Sequence, residues 1–134
     1  MLTIDKPNIK AEKRAKEKAL RDAIDEFNRL VFLADDGVCV AHDCPYGEGD
    51  TFMIDVFDQH HVLSKGSLGY ADNNVDNGMN LHRYPCHYKA TEGFKRNGKR
   101  VTARQYVLEI IAHHEKKGTS RWDRVKAILL RKER

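Results

Sequence analysis

Leu20, Ile24, Phe27, Val31 and Ala34 recur at spacings of three and four, which places them on one face of an α-helix. The preceding Lys10–Lys18 is a run of Ala, Glu, Lys and Arg, all strong helix formers. Together they predict one long helix that stops near Asp35-Asp36-Gly37, with Gly37 ending it. Its first half carries positive charge on several faces, a pattern that fits a solvated helix better than a DNA-contacting arm. Met1–Ile9 has no periodicity and contains Pro7, so it reads as a mobile lead-in. The period then changes. Val38–Gly49 is irregular, with Pro45 among glycine and acidic turn residues. Thr51–Phe57 is short and rich in β-formers, which predicts a strand continuing toward His61–Leu63. Ser64–Asn80 is dense in Gly, Asp and Asn and predicts a loop. A second short strand is expected over Met79–Leu81 and a short helix over Cys86–Glu92. Lys95–Lys99 reads as a basic turn around Asn97-Gly98. The helical period returns after Thr102, which forms a capping box with Gln105. Val107, Ile110, Ile111 and His114 make the stripe of that helix, and Gly118 ends it. Ser120 and Asp123 begin a last helix whose face is Trp122, Val125, Ile128 and Leu129.

These elements predict a single α+β domain: an N-terminal basic helix over 1–36, a small mixed core over 37–94 and a C-terminal helical extension over 95–134. The chain of 134 residues is long enough for one modest core. No apolar run approaches the roughly 20 residues needed to span a bilayer. The charged start lacks the apolar segment of a secretory signal, so a cytoplasmic location is expected. Three cysteines are an odd number, which in a reducing compartment favours metal ligation or thiols over a disulfide framework. The net charge of +4 and pI near 9.0 suit an anionic partner, nucleic acid first.

The chemistry-bearing residues gather in Asp58–Thr91, where His60-His61 is followed by Asn77, His82 and Cys86-His87. Cys39 and Cys44 form one close pair and His82 and Cys86 another, and each pair can serve as half of a tetrahedral zinc site. Cys39, Cys44, His82 and Cys86 would supply three thiolates and one imidazole, with His42 a competing ligand. The plainer account makes the cysteines small buried apolar residues. A structural zinc would replace core that a short chain cannot bury. The adjacent histidines need different tasks, because neighbours on a strand face opposite ways. One can ligate a divalent ion, with His87 brought back toward His60 by the following helix. The other can take a proton from water attacking a phosphate, and an Asn can hold that histidine in the required tautomer.

Gly37–Thr91 resembles the HNH nucleases, the ββα-metal class. The likeness rests on Gly37-Val38-Cys39, Asp58-Gln59-His60-His61-Val62, Ser64-Lys65-Gly66, Asp76-Asn77, Leu81-His82 and Cys86-His87-Tyr88-Lys89-Ala90-Thr91, in that order. The resemblance implies a ββα-metal motif with a structural zinc knuckle, flanked by N- and C-terminal helices. It implies that His60 and His87 hold a catalytic Mg²⁺ or other divalent ion, that His61 is the general base and that Asn77 orients it. The implied reaction is hydrolysis of DNA phosphodiester bonds. His82 stands where the family commonly has Cys, and the second knuckle has one extra residue. That insertion makes Asn80 a rival for the Asn role. Thr91 stands at a position that is His in some members, so the implied metal has either two protein ligands or Asp58 as a third.

Lys65, Lys89, Arg96 and Lys99 are candidate phosphate contacts, although a solvated surface is the ordinary role of any one of them. His114 is expected in the apolar stripe, His113 in solvent, and Trp122 in the core. Size and basic flanks resemble stand-alone HNH proteins of bacteriophages, which would act in the host cytoplasm, and a homodimer is one route from single-strand cuts to a double-strand break. Two rivals remain: a catalytically inactive zinc-knuckle module that binds nucleic acid, and a zinc-supported surface for protein interaction.

Overall fold

The computed structural model describes residues 6–41, 54–68 and 71–131. Helix α1 spans Lys6–Ala34, about 43 Å at 1.5 Å per residue. Of its expected apolar face only Phe27 and Val31 are buried, while Leu20, Ile24 and Ala34 are exposed. The helix outruns the body, and only its last two turns have a core to meet. The projecting part relies on intrinsic propensity and on exposed pairs such as Lys18–Asp22 at 3.0 Å, each worth only a few tenths of a kcal/mol, about 0.2–0.5.

Strand β1 (Ile54–His61) pairs antiparallel with β2 (Gly78–Tyr84). The register sets Phe57 opposite His82, Gln59 opposite Asn80 and His61 opposite Gly78. The connection, expected as loop throughout, contains a one-turn helix α2 (Lys65–Leu68) and a 3-10 turn at Val75–Asn77. β2 is longer than the Met79–Leu81 run anticipated, because Asn80 and His82 are buried in it beside the apolar residues and hide the alternation. Helix α3 (Cys86–Glu92) follows, after a cis Tyr84–Pro85 peptide bond.

The basic segment after α3 is a hairpin rather than a bare turn: β3 (Phe94–Arg96) pairs with β4 (Lys99–Val101). Asn97 and Gly98 both take positive φ, 53° and 78°, the combination that two-residue hairpin turns require. Helix α4 (Ala103–Glu115) opens with the expected Thr102–Gln105 capping box. Helix α5 covers Asp123–Arg131. The chain is thus a mixed α+β protein with two small antiparallel sheets, and none of its described helices is long and apolar enough to cross a membrane.

The core joins Met79 and Leu81 of β2, Cys86 and Ala90 of α3, and Tyr106 and Ile110 of α4. Trp122 is buried against it as expected, and its indole Nε1 donates to Gly78 O at 2.9 Å. Arg121 pairs with Asp35 at the end of α1 and donates to the same Gly78 carbonyl at 2.8 Å. The turn that leads into α5 therefore ties the end of α1 to β2. Gly78 makes this approach possible: a Cβ there would lie 2.2 Å from Val31 Cγ2 and 2.9 Å from Phe27 Cζ. Gly78→Ala should destabilise the fold by about 1–3 kcal/mol through overpacking, read as a lowered urea midpoint with an unchanged m-value.

Candidate functional site

β2 and α3 bring Cys39, His82 and Cys86 together. One ligand atom from each lies within 4.8 Å of the others, and His82 and Cys86 are fully buried. At the tetrahedral angle two bonds of about 2.3 Å from one zinc ion place their donors about 3.8 Å apart, which lies within that limit. Two thiols and an imidazole are also the soft set that transition metals prefer. Cys39 reaches the site because Val40 N donates to Asn80 O and Asn80 Nδ2 donates to Val38 O, both at 3.0 Å. Those bonds lay 38–40 beside β2. His42 and Cys44, the other ligands suggested by the sequence, lie outside the described residues.

A second cluster lies at the far end of the hairpin. His60 on β1 and His87 on α3 face each other, ring centroids 5.3 Å apart at 66°. His87 Nδ1 donates to Asp58 Oδ2 at 2.9 Å, which leaves the lone pair of His87 on Nε2. A carboxylate on the remote nitrogen is the usual way to orient a metal-binding imidazole. Asp58 also accepts from Arg83, at 3.1 Å from Nη2. Burial pushes its carboxyl up, but hydrogen bonds from Arg83 and His87 more than offset this and hold its pKa below the usual value. Asp58 is thereby committed to orienting His87, not left open as a third ligand. Burial, with His87 and His61 nearby, pushes His60 down to about 4. His60 is accordingly neutral at physiological pH, the form that ligates a cation.

His61 has different surroundings. Its ring stacks on Phe27 of α1, centroids 4.0 Å apart at 15°. Its Nε2 lies 2.9 Å from Asn73 Oδ1. A carbonyl oxygen can only accept, so Nε2 carries the proton and Nδ1 the lone pair. Despite strand alternation, His60 and His61 line one cavity of about 410 Å³, together with Ser64, Thr91, Arg104 and Leu129. It sits where β1 ends and the chain turns away.

The sequence expectation gave the orienting contact to Asn77, and the structure differs. Asn77 is fully buried. Its Oδ1 accepts from Leu63 N at 2.7 Å, and its Nδ2 donates to Leu63 O at 3.0 Å and Asp72 O at 2.9 Å. It fixes the backbone just after His61, while Asn73 touches the ring. Asn80, the rival, accepts from Gln59 Nε2 at 2.9 Å and serves the cysteine segment. Asn73 was missed because Asp72-Asn73-Asn74 reads as turn chemistry. Arg104 was missed because nothing along the chain links α4 to the histidines.

The candidate phosphate contacts divide. Lys65 and Lys99 are exposed. Lys89 turns inward, its Nζ 4.5 Å above the Phe94 ring. Arg96 makes a two-pronged pair with Glu109, both contacts 3.0 Å. His113 and His114 are both half-buried, and His114 Nε2 donates to Val40 O at 2.8 Å.

The chain matches no family model, no curated protein and no solved structure.

Purified protein should hold one tightly bound metal per chain by elemental analysis, and Cys86→Ser should lose it; wild-type protein free of metal would refute the ligand cluster. Asn77→Ala should leave buried backbone groups unbonded at Leu63 and Asp72, at about 1–3 kcal/mol for each group. Its urea midpoint should fall while its metal content persists.

Proposed function

We propose that this protein is a metal-dependent endonuclease of the HNH type, hydrolysing DNA phosphodiester bonds. The observation that supports this best is the hairpin-plus-helix arrangement, in which β1 and α3 bring Asp58, His60 and His87 into contact beside His61. Cys39, His82 and Cys86 then form the structural metal site that holds the base of the hairpin. Zinc suits that donor set.

The roles follow from the surroundings of each side chain. His60 is neutral and His87 has its Nε2 lone pair directed by Asp58, so the two offer a pair of imidazole ligands. A divalent cation held by them would stabilise negative charge on the phosphate and the leaving oxygen. His61 takes the proton of the attacking water on Nδ1. Asn73 holds the tautomer through Nε2–H, and Phe27 limits ring rotation by stacking. Asn77 fixes the backbone that follows. Arg104 places a cation on the cavity wall, where it can meet a phosphate oxygen. Lys65 and Lys99 add exposed positive charge for the DNA backbone.

The reading is tested with supercoiled plasmid, purified protein and Mg²⁺, Mn²⁺ or no added divalent ion. Metal-dependent nicking or linearisation is expected, and His61→Ala should slow it by about 10²–10⁴-fold, the usual contribution of a general base. The variant should keep its bound structural metal and its DNA affinity. Cleavage at the wild-type rate in His61→Ala would remove His61 from the mechanism. Salt-sensitive binding with no cleavage under any metal would instead favour a nucleic-acid-binding module.

A further inference from the structure

Tyr84 ends β2 and Tyr88 stands on the first turn of α3. Their side chains are 38% and 52% exposed, unlike Tyr106 and Trp122, which are buried. The two rings lie 5.8 Å apart at 49°, a tilted pair rather than a face-to-face stack. Both line a cleft of about 350 Å³ whose other lining residues are Arg83, His87, Thr91 and Glu92. His87 is common to this cleft and to the contact with His60. The cleft and the candidate phosphate site are therefore two sides of one residue.

Both rings keep exposed faces beside the candidate site, and such flat faces are surfaces on which a ligand ring can pack. The chemistry of the cleft specifies that ligand. It has aromatic lining from Tyr84 and Tyr88, with the charged residues Arg83 and Glu92 beside them. Arg83 is fixed there by its 3.1 Å pair with Asp58. A flat heteroaromatic ring with an exocyclic amine suits such a lining, and stacking on an aromatic side chain is how proteins hold bases without reading a duplex. A base within an intact helix is already stacked on its neighbours and cannot enter. An unpaired base is not, and a nucleotide whose phosphate lies near His60 and His87 has its own base or the next one beside His87.

We infer that the Tyr84–Tyr88 cleft binds an unpaired nucleobase, so that the preferred substrate is DNA with a bulge, flap or single-stranded segment at the cut. This rests on the nuclease reading for its placement, but it is measured by binding alone. The probes are a labelled intact duplex, the same duplex with one bulged 2-aminopurine, and the corresponding single strand, each titrated with full-length protein without added divalent metal. Wild-type protein should bind the bulged and single-stranded probes more tightly than the duplex and quench the 2-aminopurine. Tyr84→Leu and Tyr88→Leu should each weaken binding to the two unpaired probes by about 5- to 150-fold, the usual value of one base–aromatic stack, and change duplex binding little. Tyr88→Phe should retain both affinity and quenching, which separates stacking from a role for the hydroxyl. Unchanged urea midpoints and metal content exclude loss of fold as the cause.

Equal affinity of wild type for all three probes, or equal losses on all three in the leucine variants, would overturn the inference. If the plasmid is still cleaved in that case, the nuclease reading stands without it. Binding to none of the probes would overturn both. Tyrosine-dependent capture of the unpaired base by a protein that cuts nothing would uphold the cleft and leave a binding module.

Discussion

One side chain, Asn77, holds both the N–H and the C=O of Leu63, and the geometry around His61 depends on it. At that point the chain has left the ladder of β1 and must reverse through a polar connection. Backbone groups there are buried beyond reach of water and need partners. Asn77 supplies them, with Asp72 O as its third side-chain contact, while its main-chain carbonyl accepts from Val62 N at 2.8 Å. The same clamp fixes the loop that presents Asn73 to the His61 ring. A short polar residue therefore does here what a larger protein would do with more apolar core.

The four histidines of the hairpin and helix become distinct through their neighbours. His82 is drawn inward beside Cys39 and Cys86, with Phe57 stacked at 4.8 Å. His60 is desolvated against His87, and His87 is oriented by Asp58. His61 is clasped between Phe27 and Asn73. Two separate clusters result, one suited to a buried structural ion and one open to a cavity. The hairpin register joins them, since His82 and His60 lie on paired strands a few residues apart.

Charge is also divided by the fold. Arg124 of α5 pairs with Asp72 and Asp76, and Arg121, just before that helix, pairs with Asp35. The Arg124 pairs reach the loop just before β2, so the last helix braces the connection that carries Asn73 and Asn77. Burial pushes the Asp72 carboxyl up, but hydrogen bonds from Arg124 and Asn74 outweigh it and hold the pKa below the usual value. Lys89 and Arg96 are taken up by Phe94 and Glu109. Each ion pair removes one charge of each sign, so the net +4 rests on the remaining groups, the exposed Lys65 and Lys99 among them.

Much of the architecture was legible along the chain because it is local. The capping box at Thr102, the period of Val107 and Ile110, the short helix at Cys86 and the β-rich run into His60 all follow from neighbours in sequence. The three residues of the candidate metal cluster were legible for a similar reason, since thiols and imidazoles at close spacing are a usual ligand pattern. The features that were not legible along the chain are non-local. Whether Leu20 and Ile24 are buried depended on how far the body extends along α1, and periodicity contains no such length. The β3–β4 hairpin was read as a turn because its strands are three residues each and highly charged. The division of work between Asn73 and Asn77 turned on which side chain meets a ring and which meets the backbone. The kinds of chemistry present, and their order, can be read along the chain. Which histidine faces which partner was decided by strand register and by the packing of α1, α3 and α5, because those contacts join residues far apart in the chain.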